Sequence, residues 1–147
     1  DPVRSAAFAG EPMVRWKVPA GSGFAGPVVS GERVVVFHRQ GAEELVQVLD
    51  ARSGKVEWTY RHPTAYVDDQ GFDNGPRGTP AVSDGRIFVL GAEGRLVCLQ
   101  LADGKKLWEL DTKERFRADK GFFGPACSPL VADGRVLLNI GGADGAG

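Results

Sequence analysis

One stretch of this chain concentrates the groups that could do chemistry: Tyr66-Val67-Asp68-Asp69-Gln70-Gly71-Phe72-Asp73-Asn74-Gly75-Pro76-Arg77. Closely spaced carboxylates around a Gly are what a hard cation such as Ca²⁺ asks for, which makes Asp68, Asp69 and Asp73 the metal candidates. Their spacing lacks the Asp-x-Asp-x-Asp-Gly alternation and the distant bidentate Glu of the best-known calcium loop. Asp, Asn and Gly are also the ordinary residues of turns. The expectation is therefore a solvated, turn-forming acidic loop without calcium. Asp73 and Arg77 are expected to pair across it, and a surface pair of that kind adds only about 0–1 kcal/mol.

Other chemistry lacks convergent groups. His38 and His62 are the only histidines, one within an apolar run and one beside the acidic loop, and neither belongs to a partner motif. No Gly-x-Ser-x-Gly turn occurs, and no Cys has a His or Cys at metal-ligand spacing. Structural or surface roles are expected for both histidines. Cys98, within Leu96-Val97-Cys98-Leu99, reads as a small buried hydrophobe. Cys127, just before Ser128-Pro129, has no flanking cation that would activate its thiol. No catalytic residue is assigned.

The elements that must position these residues form a repeat. Val48-Leu49-Asp50-Ala51-Arg52-Ser53-Gly54-Lys55-Val56-Glu57-Trp58 returns fifty positions later as Cys98-Leu99-Gln100-Leu101-Ala102-Asp103-Gly104-Lys105-Lys106-Leu107-Trp108. Both copies have an apolar strand end, a turn closed by Gly, a Lys, and a Trp four residues after the Gly. Self-similarity at such a period marks a repeat architecture. Gly54 and Gly104 allow the positive φ of a tight turn between antiparallel strands. Trp58 and Trp108 carry too much apolar area for an open strand face, so both are expected to be well buried against the neighbouring repeat. Trp16, on an alternating Val14–Val18 strand, closes a degenerate earlier copy in which Pro12 stands where the Gly belongs.

A second signature opens each unit, at Gly26-Pro27-Val28-Val29-Ser30-Gly31, Thr79-Pro80-Ala81-Val82-Ser83-Asp84-Gly85 and Ser128-Pro129-Leu130-Val131-Ala132-Asp133-Gly134. Pro suits the first position of a strand, and Asp-Gly makes a hairpin turn. The strands expected are Pro27–Ser30, Arg33–Arg39, Glu44–Asp50 and Lys55–Tyr60, then Pro80–Ser83, Arg86–Leu90, Arg95–Leu101 and Lys105–Asp111. Four short strands in about 50 residues is the arithmetic of a propeller blade. The fold class is all-β, a β-propeller of four-stranded antiparallel blades. Residues 1–13 form an irregular lead-in. Residues 14–147 form a partial propeller domain with blades at about 26–60 and 78–111 and an incomplete one at 127–147, about two and a half in all.

Composition agrees with this. Gly is 21 of 147 residues without a collagen period, which suits many tight turns. Eighteen basic and nineteen acidic residues, scattered, leave no electrostatic footprint for nucleic acid. No apolar run approaches the roughly 20 residues needed to cross a bilayer, and no signal segment opens the chain, which begins at Asp1. The ends read as cut from something longer.

The motif Val48-x-Asp50-x-x-Ser53-Gly54-x-x-x-Trp58 resembles the tryptophan-docking motif, Ala-x-Asp-x-x-x-Gly-x-x-x-Trp, of the quinoprotein-type propellers. The second copy departs from it at Cys98 and Gln100. That family includes pyrroloquinoline-quinone (PQQ) dehydrogenases and non-enzymatic PQQ-like repeat proteins of the BamB kind. The resemblance covers the chain from Trp16 onward and implies an open arc of a seven- or eight-bladed ring, exported to the periplasm or secreted. In it Trp16, Trp58, Trp108, Gly54 and Gly104 are packing devices, not a site.

The connections Arg61–Gly78 and Thr112–Cys127 are then the informative loops, expected on one face of the array. Long connections in compact domains are often functional. Candidate residues of this binding face are Tyr66, Asp73, Asn74, Arg77, Phe122 and Phe123. The PQQ enzymes that the resemblance brings in use a vicinal disulfide over the quinone and a calcium site, and this chain has no adjacent cysteines. The leading expectation is a non-catalytic exported propeller presenting its loop face to another protein or a small ligand, without PQQ or calcium. The alternatives are a piece of a quinoprotein dehydrogenase whose cofactor residues lie in further blades, and a structural repeat domain of a larger extracytoplasmic protein.

Overall fold

The computed structural model describes residues 13–121 and 123–142. Two four-stranded antiparallel meanders follow one another. The first contains β1 (Val28–Ser30), β2 (Arg33–Gln40), β3 (Glu43–Asp50) and β4 (Val56–Pro63). The second contains β5 (Ala81–Ser83), β6 (Arg86–Leu90), β7 (Arg95–Gln100) and β8 (Lys106–Asp111). A short helix α1 (Thr112–Phe116) comes next, and then the hairpin of β9 (Leu130–Ala132) and β10 (Arg135–Leu137) opens a third unit. Every expected strand from Pro27 to Asp111 is present to within a few residues.

Turn chemistry sets these boundaries. Asp84 and Gly85, like Asp133 and Gly134, both take positive φ (48° and 70°; 49° and 69°), the two-residue hairpin turn whose twist matches its strands. The β3–β4 and β7–β8 pairs slip register at the same place, Val48/Leu49 and Cys98/Leu99. The two copies therefore share a kink as well as a sequence pattern.

The core lies between the first two sheets. Val35, Phe37, Val46 and Val48 alternate along β2 and β3 and meet Ile87, Val89, Val97 and Leu99 of β6 and β7, all essentially excluded from solvent. Inner strands such as Leu96-Val97-Cys98-Leu99 are buried on both faces, which explains their near-continuous apolar sequence. The first strands of the units lie side by side, β1 against β5 and β5 against β9.

The tryptophans reach forward by one unit. Trp16 donates its indole N–H to Ala51 O (3.0 Å) and Trp58 to Leu101 O (3.1 Å), positions equivalent in successive units. Their rings lie against Gly54 and Gly104, where an added Cβ would collide with the indole. Trp58 is only half-buried, and Trp108 departs further from the expected burial. It is 40% exposed and touches Phe88 of its own sheet at 5.9 Å between ring centroids, because no third Gly-closed turn stands among the described residues to cover it. Val14–Val18 is not a strand either. That segment forms no ladder, and the first pairing after it is an isolated bridge from Ser22 to Arg39. The lead-in, apart from Met13, and Pro12 and Phe122 lie outside the described residues.

Candidate binding face at the loop end

Chain direction brings the candidate residues to one end. β4 finishes, β5 starts, and the β2–β3 and β6–β7 hairpins turn there, so both long connections cross the same end of the sheets. They also touch. Lys120 donates its ammonium to Val67 O (2.8 Å) and to the Asp69 carboxylate (2.6 Å), and the Phe72 and Phe123 rings meet at 6.1 Å.

Asp68 organises the first connection. Its side chain is buried, and its oxygens accept the main-chain N–H groups of Gln70 (3.3 Å), Phe72 (2.8 Å) and Asp73 (3.2 Å). Its own N–H donates to Asn74 Oδ1 (2.7 Å). Burial alone would raise the Asp68 pKa, but the amides of Asp73, Phe72 and Gln70 and the charge of Arg77 outweigh it and hold the carboxyl below its ordinary value. Arg77, with only 6% of its side chain exposed, gives its guanidinium to Gly75 O (2.8 Å) and Asp73 O (2.9 Å) and stands 3.6 Å from Asp68 Oδ2. The expected Asp73–Arg77 ion pair is thus replaced: the arginine takes the Asp73 carbonyl and the Asp68 charge, while the Asp73 carboxylate caps Gly75 N–H (2.6 Å).

Tyr66 is buried against Arg77. Two cations stand over its ring, Arg77 at 5.0 Å and Lys120 at 5.2 Å from its centroid, and its hydroxyl finds no partner among the described residues. Gly124 (φ 70°) packs so close to the ring that a Cβ would fall 2.8 Å from Cε2. Phe24, Phe72, Arg77, Phe123 and Ala126 line an open cleft of about 390 Å³. Phe24, Phe72 and Phe123 are 61%, 69% and 42% exposed, although exposed rings in a cluster are uncommon away from interaction sites.

The two histidines are internal. His38 Nδ1 accepts Gly21 N–H (2.9 Å), so Nε2 carries the proton and donates to Gln47 Oε1 (2.8 Å). His62 Nε2 meets the Glu44 carboxylate at 2.8 Å, both groups being buried, and the other Glu44 oxygen accepts Ala92 N–H of the second unit at 2.8 Å. Glu93 accepts Thr64 Oγ1 (2.9 Å) and Ala65 N–H (3.0 Å). Cys98 is buried in β7, where desolvation raises its thiol pKa, and Cys127 Sγ accepts Asn139 N–H.

Of the sequence candidates, Tyr66, Asp73, Asn74, Arg77 and Phe123 come together here. The metal candidates do not converge: Asp68 turns inward, Asp69 outward to Lys120, and Asp73 onto its own loop. No group of three or more His, Cys, Asp or Glu among the described residues is placed to hold a metal ion. Sequence reasoning missed Phe24, Lys120, Arg39 and the Glu44–His62 pair. Glu44 and His62 face each other across the β3–β4 ladder, a relation that appears only once the register is known.

Successive four-stranded meanders, packed face to face with their first strands side by side, are blades of a β-propeller. A family model described as outer membrane protein assembly factor BamB matches residues 42–146, and the chain belongs to this PQQ-repeat family. It is 35% identical over 102 residues to a 1-butanol dehydrogenase (cytochrome c) of Thauera butanivorans, covering 68% of this chain and 14% of that protein. It is 30% identical over 98 residues to BamB of Yersinia pestis, covering 66% and 23%. The crystal structure of quinohemoprotein alcohol dehydrogenase from Comamonas testosteroni superposes with a TM-score of 0.59 at 31% identity, over 84% of this chain and 18% of that one. The chain therefore spans less than a quarter of these relatives. No helix among the described residues is long and apolar enough to cross a membrane.

Proposed function

We propose that this chain belongs to a non-catalytic, exported PQQ-like propeller, periplasmic or secreted, whose loop end binds another protein or a small ligand. The observation that carries the reading is the cleft of Phe24, Phe72 and Phe123: three exposed rings from three separate segments, set around Arg77, whose guanidinium is engaged within the protein. Such a surface offers apolar contact area and no evident acid, base or nucleophile. A photo-crosslinking residue at position 72 should capture one defined partner in extracts of the native host, and the same probe at Asp103, in the turn at the opposite end, should not. Equal capture from both positions would defeat the loop-end assignment.

A second reading, a segment of a quinoprotein alcohol dehydrogenase, is favoured by the 35% identity to the butanol dehydrogenase. It requires turnover. Protein reconstituted with PQQ and calcium should reduce an artificial acceptor with primary alcohols under that reading, and should not under the first.

A further inference from the structure

The quinoprotein relatives imply a carboxylated quinone and an accompanying cation, so the charged groups gathered at the loop end can be compared with what those two would need. An anionic quinone needs cations or hydrogen-bond donors turned toward it, and a hard cation needs carboxylate or carbonyl oxygens free of other partners.

The cations are engaged within the chain. Arg39 gives Nε to Gly41 O (2.7 Å) and a terminal nitrogen to Tyr66 O (2.6 Å) and Asn74 O (2.9 Å). Arg77 is turned inward to Asp68 and to the carbonyls of Asp73 and Gly75, with the Phe24 and Tyr66 rings at 5.7 and 5.0 Å. Lys120 is held by Val67 O and Asp69 over the Tyr66 ring.

The carboxylates are engaged as well. Asp68 is surrounded by three amides and a guanidinium, Asp69 holds Lys120, and Asp73 holds Gly75 N–H. Glu44 holds Ala92 N–H and His62, and Glu93 holds Thr64 and Ala65. Each of these carboxylates already accepts at least one donor of the chain, and Asp68 is enclosed by three amides and a guanidinium, where a cation would need oxygens free of other partners. The donor set does not fit the pair of groups that the quinoproteins carry.

We infer that the loop end is internally neutralised, and that Arg39, Arg77, Lys120, Asp68, Asp69 and Asp73 supply no ligand to a carboxylated quinone or to its cation. The inference deepens the loop-end reading above and rests on it, yet the two fail differently. Tb³⁺ titrated into the purified protein, with emission excited through its aromatic residues, tests the carboxylates against the Asp69→Asn/Asp73→Asn variant. That variant keeps a side-chain oxygen for Gly75 N–H, and its near-UV circular dichroism should match the parent.

No saturable emission, or saturable emission equal in the two proteins, upholds the inference. A saturable signal that the variant weakens tenfold or more overturns it. PQQ with Ca²⁺, followed by quenching of tryptophan fluorescence, tests the cations against Arg77→Lys and Lys120→Met. Quenching in the parent that either variant weakens tenfold also overturns the inference, and absence of saturable quenching upholds it. Saturable quenching of equal affinity in all three would place a quinone elsewhere in the protein, defeating the non-catalytic reading while this inference stands.

Discussion

Asp50 shows at the scale of one residue how a repeat tolerates a changed member. Its carboxylate accepts both the hydroxyl (2.5 Å) and the main-chain N–H (2.7 Å) of Ser53, and these two bonds, in that order, hold its pKa below the ordinary value. A depressed folded pKa contributes stability that is present above the unfolded value near 3.9 and is lost as pH falls through the lower folded value. Asp68 is shifted in the same direction, so the share belonging to Asp50 is read as a difference: below about pH 4 the melting temperature of the parent should fall more steeply than that of Asp50→Asn. The second turn closes with Gln100, whose main-chain carbonyl still accepts Gly104 N–H. It has no carboxylate there to titrate. The tryptophans give a second comparison. Trp58→Ala should cost about 3 kcal/mol as a large truncation against Gly104 and Leu101, and Trp108→Ala, with its indole already 40% exposed, less than half as much in urea unfolding.

At the scale of elements, the β6–β7 turn is fastened to β3 by one buried carboxylate. Glu44→Ala leaves Ala92 N–H and His62 Nε2 without their acceptor and should cost about 3 kcal/mol. Gly91→Ala tests the same junction from the other side. A Cβ there would run into Glu44 Oε2, and Gly91 is not among the residues with positive φ, so a loss of about 1–3 kcal/mol would be steric. In the Glu44→Ala background the Gly91→Ala cost should largely vanish, and additive costs in the double-mutant cycle would refute the contact. The strands themselves were legible because Pro, Asp-Gly and alternating apolar residues mark their ends locally. What escaped sequence reading depends on relations that spacing does not encode. Which of three neighbouring aspartates turns inward is decided by where the amides of residues 70–73 point, so Asp68 took Arg77 in place of Asp73. Helix α1 carried a visible sign, Asp111 accepting Glu114 N–H at its N-terminus (3.0 Å), but five residues are too few for an apolar period to declare a helix. Val14–Val18 has the alternation of a strand and no ladder partner among the described residues.

For the molecule as a whole, Trp108 of the second sheet and Leu130 and Leu137 of the two-stranded third are 40%, 61% and 49% exposed at the end of the array where the third sheet has only two strands among the described residues. An unpartnered sheet face of this kind favours association. Sedimentation of the isolated 147-residue chain should therefore show self-association that increases with concentration, and a version extended by further units should sediment as a monomer. A monomeric, cooperatively melting 147-residue species would contradict this. The forward reach of the tryptophans has one more consequence, for how such a chain changes length. Trp16 rests on a Gly of the next unit and Trp58 on the Gly of the one after, so each of these junctions sets a Trp behind against a turn ahead. Duplicating or excising one complete fifty-residue unit reproduces the same Trp–Gly contact at the splice, whereas a gain or loss of half a unit strands a Trp without its turn. Descent by whole-unit copying is therefore open to this architecture, and recombination breakpoints should collect in the long connections rather than in the hairpins.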